Sequence, residues 1–431
     1  MEKEKLRMQR QAIAAGIAGN VMEWYDFSVY GYFAATIGRQ FFPTQDAVSS
    51  LLAAFGVFAA GFFMRPLGSL VFGHIGDKIG RKLALTASVA LMAVPTFLIG
   101  VLPTYQQIGV TASALLVLLR LLQGLSVGGE YTTSSIFLVE RSAAGRRGFL
   151  GSFAPVGSCG GILLGSAIGA VVTTALDRTS VDSWGWRIPF VIGIAVGIAG
   201  LYIRRHLIDD SGPQGGQPRI GSPIREAFRT ERGTIARLIG LGAAGAVSFY
   251  MSFVYITTYL RQIDHIAQSK ALDINTISMA VLLLLLAPVG ALSDYFGRKP
   301  FLLIATGGLF VMAWPLFWML HHSDFSVILL GQIGFAVLSA CFWGALPATM
   351  VELVPNRVRC TVLSVGYNTG MALLGGMTPM VAVYTIERSQ YDLSPAFLLM
   401  AAAAVSFFVV VGLRETYKLP LSSPVAAAAH A

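Results

Sequence analysis

Long apolar runs separated by short polar loops set the pattern of this 431-residue chain. A helix needs about 20 apolar residues to cross the hydrocarbon of a bilayer. On that measure the runs predict twelve membrane-spanning helices, near 12–37, 50–72, 83–103, 111–139, 149–174, 186–204, 236–260, 272–292, 301–320, 325–350, 361–386 and 395–413. The widest polar interval is rich in Gly, Pro and Ser over Ser211–Pro218, then basic and weakly amphipathic over Pro223–Arg232. It predicts a first six-helix half at 1–204, a linker at 205–234 and a second six-helix half at 235–431.

One short stretch occurs twice between such runs. The first copy is Gly73-His-Ile-Gly-Asp77-Lys-Ile-Gly80-Arg81-Lys82, and the second is Gly290-Ala-Leu-Ser-Asp294-Tyr-Phe-Gly297-Arg298-Lys299. A second echo runs at nearly the same offset: Val139-Glu140 with Arg147 and Ser152 recurs as Val351-Glu352 with Arg359 and Ser364. Two motifs repeating about half a chain apart predict two homologous halves, a build common among secondary transporters.

Composition removes the soluble alternatives. Hydrophobic residues make up 55% of the chain, charged residues only 12%, and the mean hydropathy is +0.67. A soluble domain carries about 25% charged residues. The net charge of +9 does not point to nucleic acid, because the charges lie in short clusters between apolar runs, with no basic stripe and no nucleic-acid motif. Cys159, Cys341 and Cys360 fall in or beside apolar runs and read as small packing residues, without disulfide or metal spacing. Glu23 and Asp26 inside the first run argue against a cleaved signal segment, so that run is expected to stay as a membrane helix. With a cytoplasmic N-terminus, the 31 Lys and Arg favour cytoplasmic loops by about four to one. Both repeated loops and the linker are then expected on the cytoplasmic side.

The ionisable residues inside the runs carry the candidate chemistry, because such groups are costly there unless paired or facing water. Glu23 and Asp26, three apart, share a helix face near the middle of the first span. Two close carboxylates in low dielectric raise each other's proton affinity, which suits proton coupling. A structural ion pair with an arginine of a neighbouring span is the other reading. In the fourth span Gln123 and Glu130 face one way, and Arg120 lies about 60° from Gln123, forming a polar seam. A buried guanidinium can hold a carboxylate bidentately. A static bridge from Arg120 to Asp26 or Glu130 competes with that role. Arg65 in the second span either joins this chemistry or snorkels to the headgroups. The stripe Gly157, Gly161, Gly165, Gly169 predicts close helix packing. Tyr250, Tyr255 and Tyr259 with Ser248 and Thr257 make the seventh span polar and aromatic, and with Trp343 and Asn368 they are expected to wall a central site from the second half. Tyr259 reads equally well as a lipid-interface residue. His265, His321 and His322 are expected in solvated external loops.

The loops have a gating logic. Asp77 is placed to accept from backbone N–H groups at a helix N-terminus, and Arg81 and Lys82 to pair with Glu140. Asp294, Arg298 and Glu352 are expected to do likewise in the second half. Bonds that exist only in one access state set the balance between states.

These residues carry a resemblance. The repeated loop, twelve spans and the six-plus-six division resemble the major facilitator superfamily. Gly19-Asn-Val-Met-Glu-Trp-Tyr-Asp-Phe27, Arg65-Pro-Leu-Gly, Arg120-Leu-Leu-Gln-Gly-Leu-Ser-Val-Gly-Gly-Glu-Tyr131 and Trp184-Gly-Trp-Arg-Ile-Pro-Phe190 resemble its metabolite:proton symporter branch. The resemblance implies an all-α integral membrane fold of two six-helix halves and places the Arg-x-x-Gln-Gly motif near the proton pathway. It implies a substrate such as α-ketoglutarate, citrate, shikimate, proline or betaine. Arginine at position 120 is similar to the carboxylate carriers. The sequence resembles the osmolyte carriers only as far as the last span, without the long charged coiled-coil tail that some of them carry, which weakens an expectation of osmosensing.

The expected function is a proton-coupled symporter that imports a small carboxylate or zwitterion by alternating access; a proton-coupled exporter is the alternative. Glu23, Asp26 and Glu130 are the candidate proton-coupling residues. Arg120, Gln123, Tyr30, Tyr250 and Asn368 are the candidate substrate contacts. Asp77, Arg81, Glu140, Asp294, Arg298 and Glu352 are the candidate cytoplasmic gate. No nucleophile–base pair or metal cluster is apparent at membrane depth, so an enzyme is not expected, nor is a cofactor. The expected setting is a monomer in a bacterial cytoplasmic membrane with both termini cytoplasmic.

Overall fold

The bilayer core has no water to satisfy backbone N–H and C=O groups, so a chain with these runs must bond them internally as helix. The computed structural model describes residues 14, 17, 20–68, 71, 81–127, 130–143, 145–207 and 223–421. Asp77 and most of the polar interval after the sixth span lie outside the described residues, as do the side chains of Arg81 and Lys82.

Among the described residues there is no strand, and two short helices, Tyr105–Ile108 and Pro223–Thr230, lie between members of a series of twelve long helical segments. These are α1 (20–41), α2 (Ala47–Gly68), α3 (Arg81–Val101), α4 (Val110–Glu140), α5 (Arg147–Ala175) and α6 (Arg178–Gly185 with Arg187–Gly200, bent by 51°). After the polar interval come α7 (Arg232–Gln262), α8 (Gln268–Phe296), α9 (Arg298–Leu320), α10 (Phe325–Leu353), α11 (Asn356–Ser389) and α12 (Ser394–Gly412). Each coincides with one predicted span. Nine are long and apolar enough to cross a membrane, and the two pieces of α6 together make a tenth. The chain is an all-α, multi-pass membrane protein.

Small residues set how closely these helices approach. Gly157 of α5 packs on Asn20 of α1, and a Cβ at Gly161 would stand 2.9 Å from the backbone nitrogen of Tyr25. The glycine stripe is thus a packing surface, as its spacing predicts. A second close approach joins α2 to α4, where a Cβ at Gly124 would lie 2.7 Å from the carbonyl carbon of Gly61. This contact brings Arg120 of α4 against the aromatic residues of α1 and α2. Gly124→Ala is expected to lower stability by about 1–3 kcal/mol, the usual cost of overpacking. Gly242→Ala, where a Cβ meets nothing within 4 Å, is expected to change stability by less than about 0.5 kcal/mol. Thermal unfolding of the purified variants checks the contrast.

Early and late helices also meet directly. α5 runs along α8, and α2 along α11. The Tyr32 hydroxyl of α1 donates to the Phe253 carbonyl of α7 at 3.0 Å, and the Asn275 amide of α8 donates to the Tyr32 hydroxyl at 2.7 Å. α7 widens into a π-turn at Met251–Tyr255, just past Tyr250, and α11 does so at Met371–Gly375, just past Asn368. Tyr259 is wholly buried against Tyr255 and Phe317, so it is a core residue and not an interface anchor.

Candidate functional site

The polar seam of α4 meets α1 and α3 in one buried cluster. Asp26 accepts from Arg120 Nη1 at 3.1 Å, from Thr96 Oγ1 at 2.7 Å and from Gln123 Nε2 at 2.7 Å. Arg120 Nη1 also donates to Gln123 Oε1 at 2.8 Å. Arg120 and Gln123 can both reach Asp26 because residues three apart on a helix share a face. One helical turn before Asp26, Glu23 pairs with Arg65 of α2 at 3.4 Å. Arg65 is buried, so it does not snorkel to the headgroups.

Of the two readings of these acids, the geometry shows the ion pairs with arginines of neighbouring spans. Each carboxylate has its own guanidinium, and the four charges sum to zero. The static Asp26–Arg120 bridge is present, and Gln123 is committed to it. Glu130 lies elsewhere on α4, where Ser88 of α3 donates to it at 3.4 Å and also to the Ser126 carbonyl at 3.0 Å. Thr96 gave no signal in the sequence, since a threonine in an apolar helix is unremarkable.

Both arginines use only one corner of the guanidinium in these bonds. Nη1 of each is engaged, whereas Nε and Nη2 of Arg65 and of Arg120 are buried without a hydrogen-bond partner. Nε with Nη2 is the side-on edge that grips a carboxylate with two parallel bonds. Aromatic faces cover what remains. Phe27 lies between the two cations, 4.6 Å from Arg65 and 4.8 Å from Arg120. Arg120 stacks on Tyr30 at 4.2 Å, and Arg65 on Phe62 at 4.0 Å and Trp24 at 5.7 Å. Tyr30 contributes its ring alone, because its hydroxyl donates to the Ala54 carbonyl at 3.0 Å.

From the second half of the chain, Tyr250 packs on Phe62 with ring centres 5.2 Å apart and on Trp24 at 5.9 Å. Its hydroxyl stands beside Arg65. A narrow crevice lies among Trp24, Tyr131, Ser158, Phe249, Trp343 and Tyr367. Tyr131 and Tyr367 stack across it at 4.6 Å. Trp24 Nε1, Trp343 Nε1 and the Tyr367 hydroxyl are buried there without acceptors. Asn368 is buried on α11 next to Tyr367.

At the end of the bundle that carries the second loop motif, the two sequence echoes exchange partners. Glu140 pairs with Arg359, and Glu352 with Arg147 at 3.5 Å, so the glutamate of each copy takes the arginine of the other. The expected pairing of Glu140 with Arg81 and Lys82 falls on side chains outside the described residues; the crossed Glu140–Arg359 pair needs α4 and α11 in contact. Glu352 also binds Arg298 at 3.2 Å, as expected. Asp294 accepts the backbone N–H groups of Gly148 and Phe149, both at 2.8 Å, at the start of α5, and Arg298 at 2.8 Å. The segment after α12 crosses the same network. Glu415 accepts from the backbone nitrogens of Arg298 and Lys299, the Leu419 carbonyl accepts from Arg147 at 2.7 Å, and the Leu421 carbonyl from Arg359 at 3.1 Å. Asp294→Asn removes a charge from the α5 N-terminus at a cost of about 1 kcal/mol. The population is expected to shift roughly fivefold away from the state closed at this end. Cysteine labelling of a cavity position from each side of the membrane measures the shift.

At the opposite end, Asp182 of α6 binds Arg39 of α1 at 2.6 Å and Arg261 of α7 at 3.7 Å. His321 is exposed in its loop, as expected, and also pairs with Asp264. Burial lifts the Asp264 carboxyl to about 6, with His321 pulling the other way. Ionic contacts therefore tie early to late helices at both ends, around a tight centre.

Residues 17–379 match the Major Facilitator Superfamily. The chain belongs to that family. It is a membrane transporter and not an enzyme. The proline/betaine transporter of Escherichia coli (strain K12) is 37% identical over 432 residues, covering 97% of this chain and 86% of that protein. The glycine betaine/proline/ectoine/pipecolic acid transporter OusA of Dickeya dadantii (strain 3937) is 35% identical over 431 residues, with the same coverage of 97% and 86%. Among solved major facilitator structures, the inward-open xylose transporter XylE from E. coli superposes with a TM-score of 0.73 at 17% identity, over 98% of this chain and 99% of that one. The proton:xylose symporter XylE bound to 6-bromo-6-deoxy-D-glucose gives 0.76 at 15% identity, over 98% and 99%. These structures share the fold, with the twelve-helix architecture expected from the sequence.

Proposed function

We propose that this chain is a proton-coupled symporter that imports a small zwitterionic osmolyte across a bacterial cytoplasmic membrane. The observation that carries the reading is the pair of unpartnered side-on edges on Arg65 and Arg120. Leaving buried guanidinium donors without acceptors costs stability, which a substrate carboxylate in the site would recover. The relatives named for proline and betaine transport support a solute with one carboxylate and one cationic nitrogen.

Asp26 is the proton carrier in this reading. When it takes a proton, Arg120 loses its counter-charge and turns fully to the substrate carboxylate. The two six-helix halves, 1–204 and 235–431, rock about the central site as a monomer. The crossed Glu140–Arg359 and Glu352–Arg147 pairs hold the cytoplasmic side closed, and Asp182 with Arg39 and Arg261 the external side. Both termini face the cytoplasm. The test is uptake into proteoliposomes under an inward proton gradient, with proline, glycine betaine, citrate and α-ketoglutarate in parallel. Uphill uptake of the zwitterions, abolished by a protonophore, is expected. Uptake of the di- and tricarboxylates alone, or uptake indifferent to the protonophore, overturns the reading.

A further inference from the structure

Resting on that reading, we infer that the aromatic box around Arg65 is the seat of the substrate's cationic head, and that Arg65 is its displaceable occupant. The box is built by Trp24 and Phe27 of α1 and Phe62 of α2, whose rings lie 5.7, 4.6 and 4.0 Å from the guanidinium carbon. Tyr250 of α7 closes it, packed on both Trp24 and Phe62. Every member is buried. Desolvated ring faces attract a cation more strongly than exposed ones do.

The fit of Arg65 to this box is poor in one respect. A guanidinium carries five N–H donors, and ring faces offer no strong acceptors. Two of its three nitrogens, Nε and Nη2, have no partner, and the third reaches Glu23 only at 3.4 Å. A quaternary ammonium has no N–H donors to leave unsatisfied, and it keeps the attraction to the rings and to Glu23. Exchange is neutral in charge, because a zwitterion enters a cluster of two acids and two arginines. Arg65, once displaced, presents its side-on edge to the carboxylate of the same ligand. A dicarboxylate has nothing to place in the box, so the box selects zwitterions.

The test is equilibrium binding to the full-length protein in lipid nanodiscs. Glycine betaine is compared with 3,3-dimethylbutyrate, which keeps the shape and carboxylate but has no positive charge. Phe62→Leu is expected to weaken betaine by roughly 2- to 30-fold, the range of a lost cation–π contact, and to leave 3,3-dimethylbutyrate little changed. Phe62→Tyr, which keeps the ring face, is expected to retain the parent preference. Arg65→Gln is expected to raise the affinity for tetramethylammonium roughly tenfold, since the competitor for the box is gone; a misfolded variant cannot produce that gain. Equal loss of both ligands in Phe62→Leu, or no gain for tetramethylammonium in Arg65→Gln, overturns the box while betaine binding by the parent leaves the transport reading intact. Failure of the parent to bind any zwitterion overturns both.

Discussion

Arg120→Ala is expected to abolish substrate binding and to destabilise the protein at the same time. The alanine strands Asp26, whose carboxylate is buried and takes its only ion pair from Arg120 among the contacts described. Removing one member of a buried pair costs about 3–5 kcal/mol. Binding falls for a separate reason, because the Nε–Nη2 edge is lost, and hydrogen bonds to charged groups contribute about 1.5–3 kcal/mol each. Two such bonds predict a loss of affinity of at least about a hundredfold. Arg120→Lys keeps a charge for Asp26 but not the planar fork, so stability is expected to recover more than binding. The double variant Arg120→Ala/Asp26→Asn separates the two effects, since it removes both charges. Its thermal unfolding is expected to recover towards the parent while betaine and proline binding stay lost. If the double variant binds like the parent, Arg120 is only the counter-ion of Asp26.

The helices were legible because lipid forces a simple rule on the chain, that every spanning run must be helix, and each predicted span overlaps one observed helix. The candidate acids and arginines were legible for a related reason, since Glu23, Asp26, Arg65 and Arg120 stand out against apolar neighbours. Their pairing was not. Glu23 meets Arg65, and Asp26 meets Arg120, where α1 packs against both α2 and α4, which themselves close on each other at Gly61 and Gly124. A pattern along one helix carries no record of that crossing. The ionic network at the end that carries the second loop motif divides in the same way. The repeat of Glu140 with Arg147 as Glu352 with Arg359 is plain in the sequence. That each glutamate takes the other copy's arginine depends on how early and late helices meet. The strap of Glu415, Leu419 and Leu421 was missed because its bonds run largely through backbone carbonyls, which every residue has. Tyr30 meets Arg120 through its ring and not through its hydroxyl, a distinction no sequence pattern carries.

Asp26→Asn is expected to leave substrate movement in place and to remove its accumulation. Asparagine nearly matches the carboxylate in shape, and its one oxygen can still accept from Thr96 or Gln123, which both reach Oδ1 in the parent. The group that replaces Oδ2 is a donor, however, and it faces the Arg120 donor. The variant therefore holds Arg120 in the state that a protonated Asp26 would give it, with no proton to release. At one proton per substrate, an inward gradient of one pH unit supports about tenfold accumulation, because each factor of ten corresponds to 1.4 kcal/mol. In proteoliposomes the parent is expected to approach that ratio. The asparagine variant is expected to stop near equal concentrations while still exchanging labelled for unlabelled betaine across the membrane. Its exchange rate is also expected to lose the parent's dependence on pH. Glu23→Gln is the matched comparison, since Glu23 lies on the same face and is paired with Arg65 instead. Tenfold accumulation by Asp26→Asn would show that the proton is carried elsewhere, with Glu23 and Glu130 the next residues to replace. Loss of exchange along with accumulation, in a variant that unfolds like the parent, would make Asp26 part of the substrate site and not the coupling residue.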